Sequence, residues 1–376
     1  MRNKLLIVAL VVLGSALFHG LGLKIGGERI LPWHIAYSDM PAFSERALAP
    51  GFAYLNKKIE YPVITGLIID ITGKVGRNVP GYFIVNALLL IGFAVASTYL
   101  LQRLTEHYPD RSGSQDNVWR YWIFAPSLLM FGVYNWDLVA VFFSICALYA
   151  MAKNKDYWAA IWIAIGFSTK FFPALFFLPL LLKQDNWKKI GYLIGIFIAV
   201  TLVINSYFIL NAFDNWYYFF ELNRTRNSNI DSIWTTIRFL FSPYLESVPR
   251  VNALSLVTFS GLYGWLMWRF RKADTVKLCF LSVLAFLLTN KVFSPQYLLW
   301  LLPFFVIFSV PKIKWFYALE GANIVSTFIV LRWFLIERNV AYFYWSAPLV
   351  IIRHIILISV FIYVDRLILP IKKPAD

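Results

Sequence analysis

A chain of 376 residues in which 60% are hydrophobic, 19% aromatic and only 15% charged lies outside the soluble globular range, where about a quarter of residues carry charge. The 15 excess positive charges sit in short runs between apolar segments rather than on one soluble face, which excludes a nucleic-acid surface. Cys146 and Cys279 both fall inside apolar runs, so neither a disulfide framework nor a thiolate metal site is indicated.

The chain reads as an all-α polytopic membrane protein, one integral membrane domain over 1–376. Met1-Arg2-Asn3-Lys4 and the apolar run to Leu23 have the charged and hydrophobic regions of a signal peptide. No small-x-small cleavage site follows, so the run is expected as an uncleaved first span. Gly20, Gly22, Gly26 and Gly27 follow a membrane helix rather than a strand and form its exit, not a dinucleotide loop.

A helix needs about 20 apolar residues to cross the hydrocarbon. Runs of that kind predict about twelve spans, at 4–23, 80–103, 119–135, 136–152, 157–170, 171–183, 189–210, 251–269, 275–291, 295–310, 315–333 and 346–366. The pair 157–170 and 171–183 is either two spans or one helix kinked at Pro173. The run 62–76 is either a short re-entrant helix or a surface excursion.

Lysine and arginine are retained in cytoplasmic loops, which sets the expected orientation. With the amino terminus inside, the inside segments 1–4, 103–120, 153–156, 183–189, 269–277, 311–314 and 366–376 hold 19 of the 35 basic residues in 57 positions. The two long outer loops, 24–79 and 211–250, hold 11 in 96. Both termini are therefore expected in the cytoplasm, with Trp119, Trp122, Trp136, Trp187, Trp216, Trp315, Trp333 and Trp345 near helix ends at the interfaces. No inside segment exceeds 18 residues, so a nucleotide-binding cytoplasmic domain is excluded and chemistry is expected outside.

The first sizeable polar interruption, Tyr37 to Pro62, is too polar and proline-broken to enter a bilayer core and must lie at a membrane face. It carries Asp39, which either serves chemistry or caps a surface helix starting near Pro41. The same orientation sends Glu60, Asp137, Lys170, Arg224, Arg226, Asp231, Arg238, Lys291, Gln296, Arg332, Glu337 and Arg338 to outer helix ends or outer loops. Lys170 lies in an apolar turn, where a cation needs a partner or a cavity; it either faces a site, snorkels, or pairs with an acid such as Asp137.

Asp137, in Asn135-Trp136-Asp137, supports a site or caps the next helix. Arg353 in the last span is expected to face an anionic group, and His354 is either a proton carrier or a packing residue. The second outer loop interleaves Trp216-Tyr217-Tyr218-Phe219-Phe220 and Trp234 with Arg224, Arg226 and Asp231. That pattern suits an interfacial helix carrying a phosphate or sugar site, although headgroup binding alone gives a similar one. Asn223-Arg224-Thr225 is also a glycosylation sequon, relevant only in a eukaryotic secretory pathway. One acid among aromatics and cations at a bilayer surface meets the needs of glycosyl transfer from a lipid phosphate, with the carboxylate taking the acceptor proton and the cations neutralising the departing phosphate.

Tyr37-Ser38-Asp39, Gly51-Phe52-Ala53-Tyr54, Glu60-Tyr61-Pro62, Asn135-Trp136-Asp137, Lys170-Phe171-Phe172-Pro173 and Ser294-Pro295-Gln296-Tyr297 resemble, in order, the landmarks of the GT-C glycosyltransferases. The likeness is greatest to the polyprenol-phosphate mannosyltransferases of glycosyltransferase family 87. The resemblance implies transfer of one hexose from a polyprenyl monophosphate to a glycan or glycolipid acceptor on the extracytoplasmic side, inverting and without a metal or other cofactor. By the same resemblance Asp39 is the general base and Lys170, Lys291, Arg224, Arg226 and Arg238 contact the donor phosphate; Arg353, whose charge would be costly against lipid, is expected to join them as the partner of an anionic group. Tyr37, Glu60, Tyr61, Asn135, Asp137, Asp231, Trp234, Gln296, Tyr297 and His354 stand in support. The paired acids of other GT-C branches are absent around Asp39, and Glu60-Tyr61-Pro62-Val63 has one proline where the pattern often has two. A polysaccharide polymerase or ligase would also use a lipid-linked substrate outside. A secondary transporter would show paired broken spans in two repeated halves, and no internal repeat is visible.

Overall fold

The computed structural model describes residues 1–25, 28–29, 36–108, 114–241, 247–332 and 341–366. Trp333, Glu337 and Arg338 lie outside the described residues.

Each of the twelve expected spans has a helix or helices near its predicted place. The helices Arg2–Gly20, Val79–Thr105, Trp187–Asn211 and the segment Tyr344–Val364 are each long and apolar enough to cross a bilayer. Asp137–Ala152, Asp156–Phe167, Phe172–Leu182, Thr275–Thr289 and Pro295–Phe308 are shorter, and at about 1.5 Å rise per residue none of them alone covers a hydrocarbon core of about 30 Å. Val248–Arg269 and Ile313–Arg332 complete the set. The run 157–183 resolves as two helices. Pro173 falls in a 3-10 turn, Phe172–Phe176, where the chain reverses after Lys170.

The expected span 119–135 is broken. Trp119–Ile123 is π-helical and Pro126–Phe131 is a separate short α-helix, because Pro126 supplies no N–H to continue the first piece and starts the second. Glu320, fully buried on Ile313–Arg332, accepts the Ser127 N–H at 2.7 Å and so satisfies a donor at that second start. The run 62–76 forms the helix Val63–Gly76. A two-residue β ribbon pairs Lys24–Ile25 with Glu28–Arg29.

Asp137–Ala152 packs against Asp156–Phe167 and Val79–Thr105, Arg2–Gly20 against Val79–Thr105, and Ile313–Arg332 against Ala341–Arg366. One apolar core runs from Val8 to Val364. Side-chain bonds mark the two ends of the bundle. At one end Lys4 reaches Gln102, Lys183 reaches Asp156, and Asn117 reaches Val306. At the other, His19 meets the Met130 carbonyl, Asn205 meets Ser168, and Asn323 meets the Pro295 carbonyl. The second end gathers the start of Asp137–Ala152, the turn at Lys170, and the segment after Thr289.

Candidate functional site

Asp39 is the first residue of the helix Asp39–Leu48, whose buried positions Met40, Ser44 and Ala47 follow a helical period. The cap of this helix is Ser38. Its oxygen accepts the Met40 N–H, and its hydroxyl donates to the carbonyls of Val133 and Tyr134 at 3.0 and 2.9 Å. The Asp39 N–H donates to the Tyr134 carbonyl at 2.9 Å. The capping role open to Asp39 is thus filled by its neighbour, and its carboxylate is left for other partners.

Those partners are two phenols. The Tyr37 hydroxyl donates to Asp39 Oδ1 at 3.0 Å and the Tyr61 hydroxyl to Oδ2 at 3.2 Å. Burial raises the Asp39 carboxyl above its ordinary value, and the nearby Asp137 charge adds to this. The two hydroxyl bonds and the Lys170 charge oppose it without cancelling it. Burial and the Asp39 charge push both phenols up, so each stays a donor.

Lys170 is ion-paired to Asp137 Oδ1, with the lysine side chain 16% exposed and the aspartate 1%. The indole N–H of Trp300 donates to Asp137 Oδ2 at 2.9 Å. Asp137 makes no capping bond; its own N–H is taken by Asn135 Oδ1 at 3.0 Å. The Lys170 ammonium lies 5.0 Å from the Tyr297 ring centroid, 5.4 Å from Trp300 and 5.9 Å from Tyr61. Tyr297 stacks on Trp300 at 3.9 Å, forming an aromatic wall that favours the cation. Asp39, Tyr37, Tyr61, Asn135, Asp137, Lys170 and Tyr297 therefore share one cluster, with Tyr61 as the bridge.

Lys291 belongs to a second group. It sits past the end of Thr275–Thr289, buried, its ammonium donating to the Arg226 carbonyl at 2.7 Å. Arg224, Lys291, Asn252, Ser255, Leu256, Phe259, Phe286 and Asn290 line a cavity of about 330 Å³. Asn229 braces this group, its N–H donating to the Lys291 carbonyl and its side-chain amide to the Phe293 carbonyl and the Ser294 hydroxyl. The Trp234 indole donates to the Thr289 carbonyl at 2.7 Å and pins the helix Ile233–Phe241 there.

Arg353 forms a third group. The anion it faces is Asp231, at 3.6 Å. Its guanidinium also donates to Asn323 at 3.0 Å and to the Asp231 carbonyl, lies 3.8 Å from the Phe293 ring centroid, and is wholly buried. Ser326 completes Asp231 at 2.7 Å. His354 is buried, its Nδ1 bonded to the Val350 carbonyl one turn back and its Nε2 without a hydrogen-bond partner among the described residues. Glu60 pairs with Arg46 at 2.6 Å on the surface. Gln296 is buried, and its Oε1 has no hydrogen-bond partner among the described residues. Arg238 lies on Ile233–Phe241, 5.1 Å from the Phe239 ring centroid.

Three residues at the cluster escaped the reading of the sequence. Ser38 and Tyr134 hold the Asp39 backbone, and Trp300 holds Asp137; in sequence each is one polar or aromatic residue among many. Asp70 had a usable signal, a lone acid inside the apolar run 62–76.

This is an all-α polytopic membrane protein that collects a tyrosine-held carboxylate, an ion-paired lysine and a cation-lined cavity near one end of its helices. The model of glycosyltransferase family 87 matches residues 61–295, and the chain belongs to that family. The match includes Tyr61, Asp137, Lys170 and Lys291; Asp39 precedes it. GPI mannosyltransferase 1 of Kluyveromyces lactis is 26% identical over 202 residues, covering 48% of this chain and 49% of the relative. The chain thus spans about half the length of this curated relative.

Proposed function

We propose that this protein is a polyprenyl-phosphate-dependent hexosyltransferase that moves one sugar to a glycan or glycolipid acceptor at the extracytoplasmic face, with inversion. The observation that carries this reading is the Asp39 carboxylate, held by two hydroxyls beside the Lys170–Asp137 pair. In the proposed step an acceptor hydroxyl gives its proton to Asp39 while its oxygen bonds the sugar C1. The bond from C1 to the phosphate oxygen breaks, and its electron pair leaves with the polyprenyl phosphate. Attack opposite the leaving group inverts the anomeric centre.

Lys170, and Arg224 with Lys291 at the cavity, supply positive charge to the departing phosphate, and the reaction in this form needs no metal. A cavity that sets Arg224 and Lys291 beside Leu256, Phe259 and Phe286 suits an anionic head on a hydrocarbon tail. Family membership supports glycosyl transfer, and the relative's name supports mannose as the sugar. The bias of lysine and arginine toward the opposite helix ends supports an outward-facing site with both termini inside.

Membranes carrying the protein, given radiolabelled polyprenyl-phosphate mannose, are expected to label an endogenous glycolipid or glycan, and Asp39→Asn to lower that rate by about 10²-fold or more. Asp39→Asn at wild-type protein level with full activity removes Asp39 as the base.

A further inference from the structure

We propose that Asp70 is a positioning residue for Asp39, acting through the loop 51–61. Asp70 is buried on the helix Val63–Gly76, with Oδ1 bonded to the Lys57 ammonium at 2.8 Å and Oδ2 to that of Lys74 at 2.6 Å. Lys57 is buried too. Taking the Lys57–Asp70 pair out of water is expensive, and replacing such a pair by apolar groups of the same volume is often neutral or stabilising, so its bonds matter here for the geometry they fix; the Lys74 side chain is half exposed.

A chain of bonds leads from it to the candidate base. The Lys57 carbonyl accepts the Tyr54 N–H at 3.1 Å. Tyr54 is held at a left-handed φ of 64°, a conformation a bulky residue adopts only when its surroundings enforce it. The Tyr54 hydroxyl donates to the Tyr61 carbonyl at 2.7 Å, and the Tyr61 hydroxyl reaches Asp39. Gly66, on the same helix as Asp70, leaves room for the Tyr54 hydroxyl, which a Cβ there would meet at 2.0 Å. The Lys74 ammonium also covers the Phe52 ring at 4.2 Å, so both lysines bind the same loop to Asp70.

The inference rests on Asp39 as the base but is separable from it by a readout that needs no donor. Carbodiimide labels protonated carboxyl groups, and the labelling of Asp39 against pH, followed by peptide mass spectrometry on the whole protein in detergent, reports its protonation midpoint. The groups that face Asp39 are Tyr37, Tyr61, Tyr82, Tyr134, Lys170 and Asp137. Tyr61→Phe removes a donor to the carboxylate and is expected to move the midpoint up. Asp70→Asn and Tyr54→Phe are expected to move it in the same direction. With polyprenyl-phosphate mannose, both are expected to lower kcat about tenfold while KM for the donor changes by less than about twofold. A midpoint unmoved by Asp70→Asn and Tyr54→Phe, where Tyr61→Phe moves it, overturns the proposal; should Asp70→Asn not fold, Tyr54→Phe alone decides. Full activity in Asp39→Asn sinks the base reading only, because the labelling still decides whether Asp70 sets the surroundings of Asp39.

Discussion

Two charges of opposite sign act on the Asp39 carboxyl, and they predict opposite effects. A base accepts a proton only when ionised, so the rate falls as pH drops through its pKa. Because burial raises that pKa, the fall on acidification is expected to begin at a higher pH than an exposed aspartate would give. Lys170→Met removes the cation that favours the ionised form and should move the acid limb of kcat/KM up. Asp137→Asn removes a like charge and should move it down. Two limbs moving the same way, or not at all, would show that the rate does not follow Asp39 ionisation. Lys291 and Arg224 act elsewhere. Lys291→Met is expected to lower kcat/KM for the donor several-fold and mainly through kcat, since charge growing on the departing phosphate is met more strongly in the transition state than in the ground state.

Elements place these groups, and small residues set how closely the elements approach. Asp39–Leu48 lies on Val63–Gly76 at Gly73, where a Cβ would stand 2.4 Å from the Ala47 carbonyl oxygen. The obstacle is backbone, which a rotamer change cannot relieve. Gly73→Val is therefore expected to push the Asp39 helix away and to cut activity by about tenfold or more with helix content retained, since displacements near 1 Å at a reacting group have effects of that order. At Gly92 on Val79–Thr105 such a Cβ meets nothing within 4 Å beyond its own stretch of helix among the described residues, so Gly92→Ala serves as the control and should match wild type in rate and circular dichroism. Equal losses in both would refute the argument from close approach.

Across the whole molecule, the Asp231–Arg353 pair fastens the turn before Ile233–Phe241 to the last two long helices through Asn323 and Ser326. Removing one partner of a wholly buried pair leaves a bare charge, so Asp231→Ala should destabilise by about 3–5 kcal/mol, read as a lowered thermal midpoint in detergent. Asp231→Ala combined with Arg353→Met should restore most of that loss, because the penalty comes from the charge rather than from a missing attraction. A double variant no more stable than Asp231→Ala would mean that the pair contributes net attraction.

The order of apolar runs determined the membrane class and the helix positions, because the cost of burying polar backbone and charge in hydrocarbon is local and additive along the chain. It also made Asp39 and Lys170 conspicuous, since each is a charge where the surrounding composition disfavours one. Only the tertiary structure decided their partners. That Lys170 pairs with Asp137, that Arg353 is taken by Asp231, and that Tyr61 links Asp39 to the Lys170 cluster all depend on contacts between residues far apart in sequence, whereas the Ser38 cap is a local bond to the Met40 N–H. A linear pattern carries the free energy of each residue in its medium, but a hydrogen bond exists only where packing brings donor and acceptor within about 3 Å, and that distance belongs to the assembled bundle.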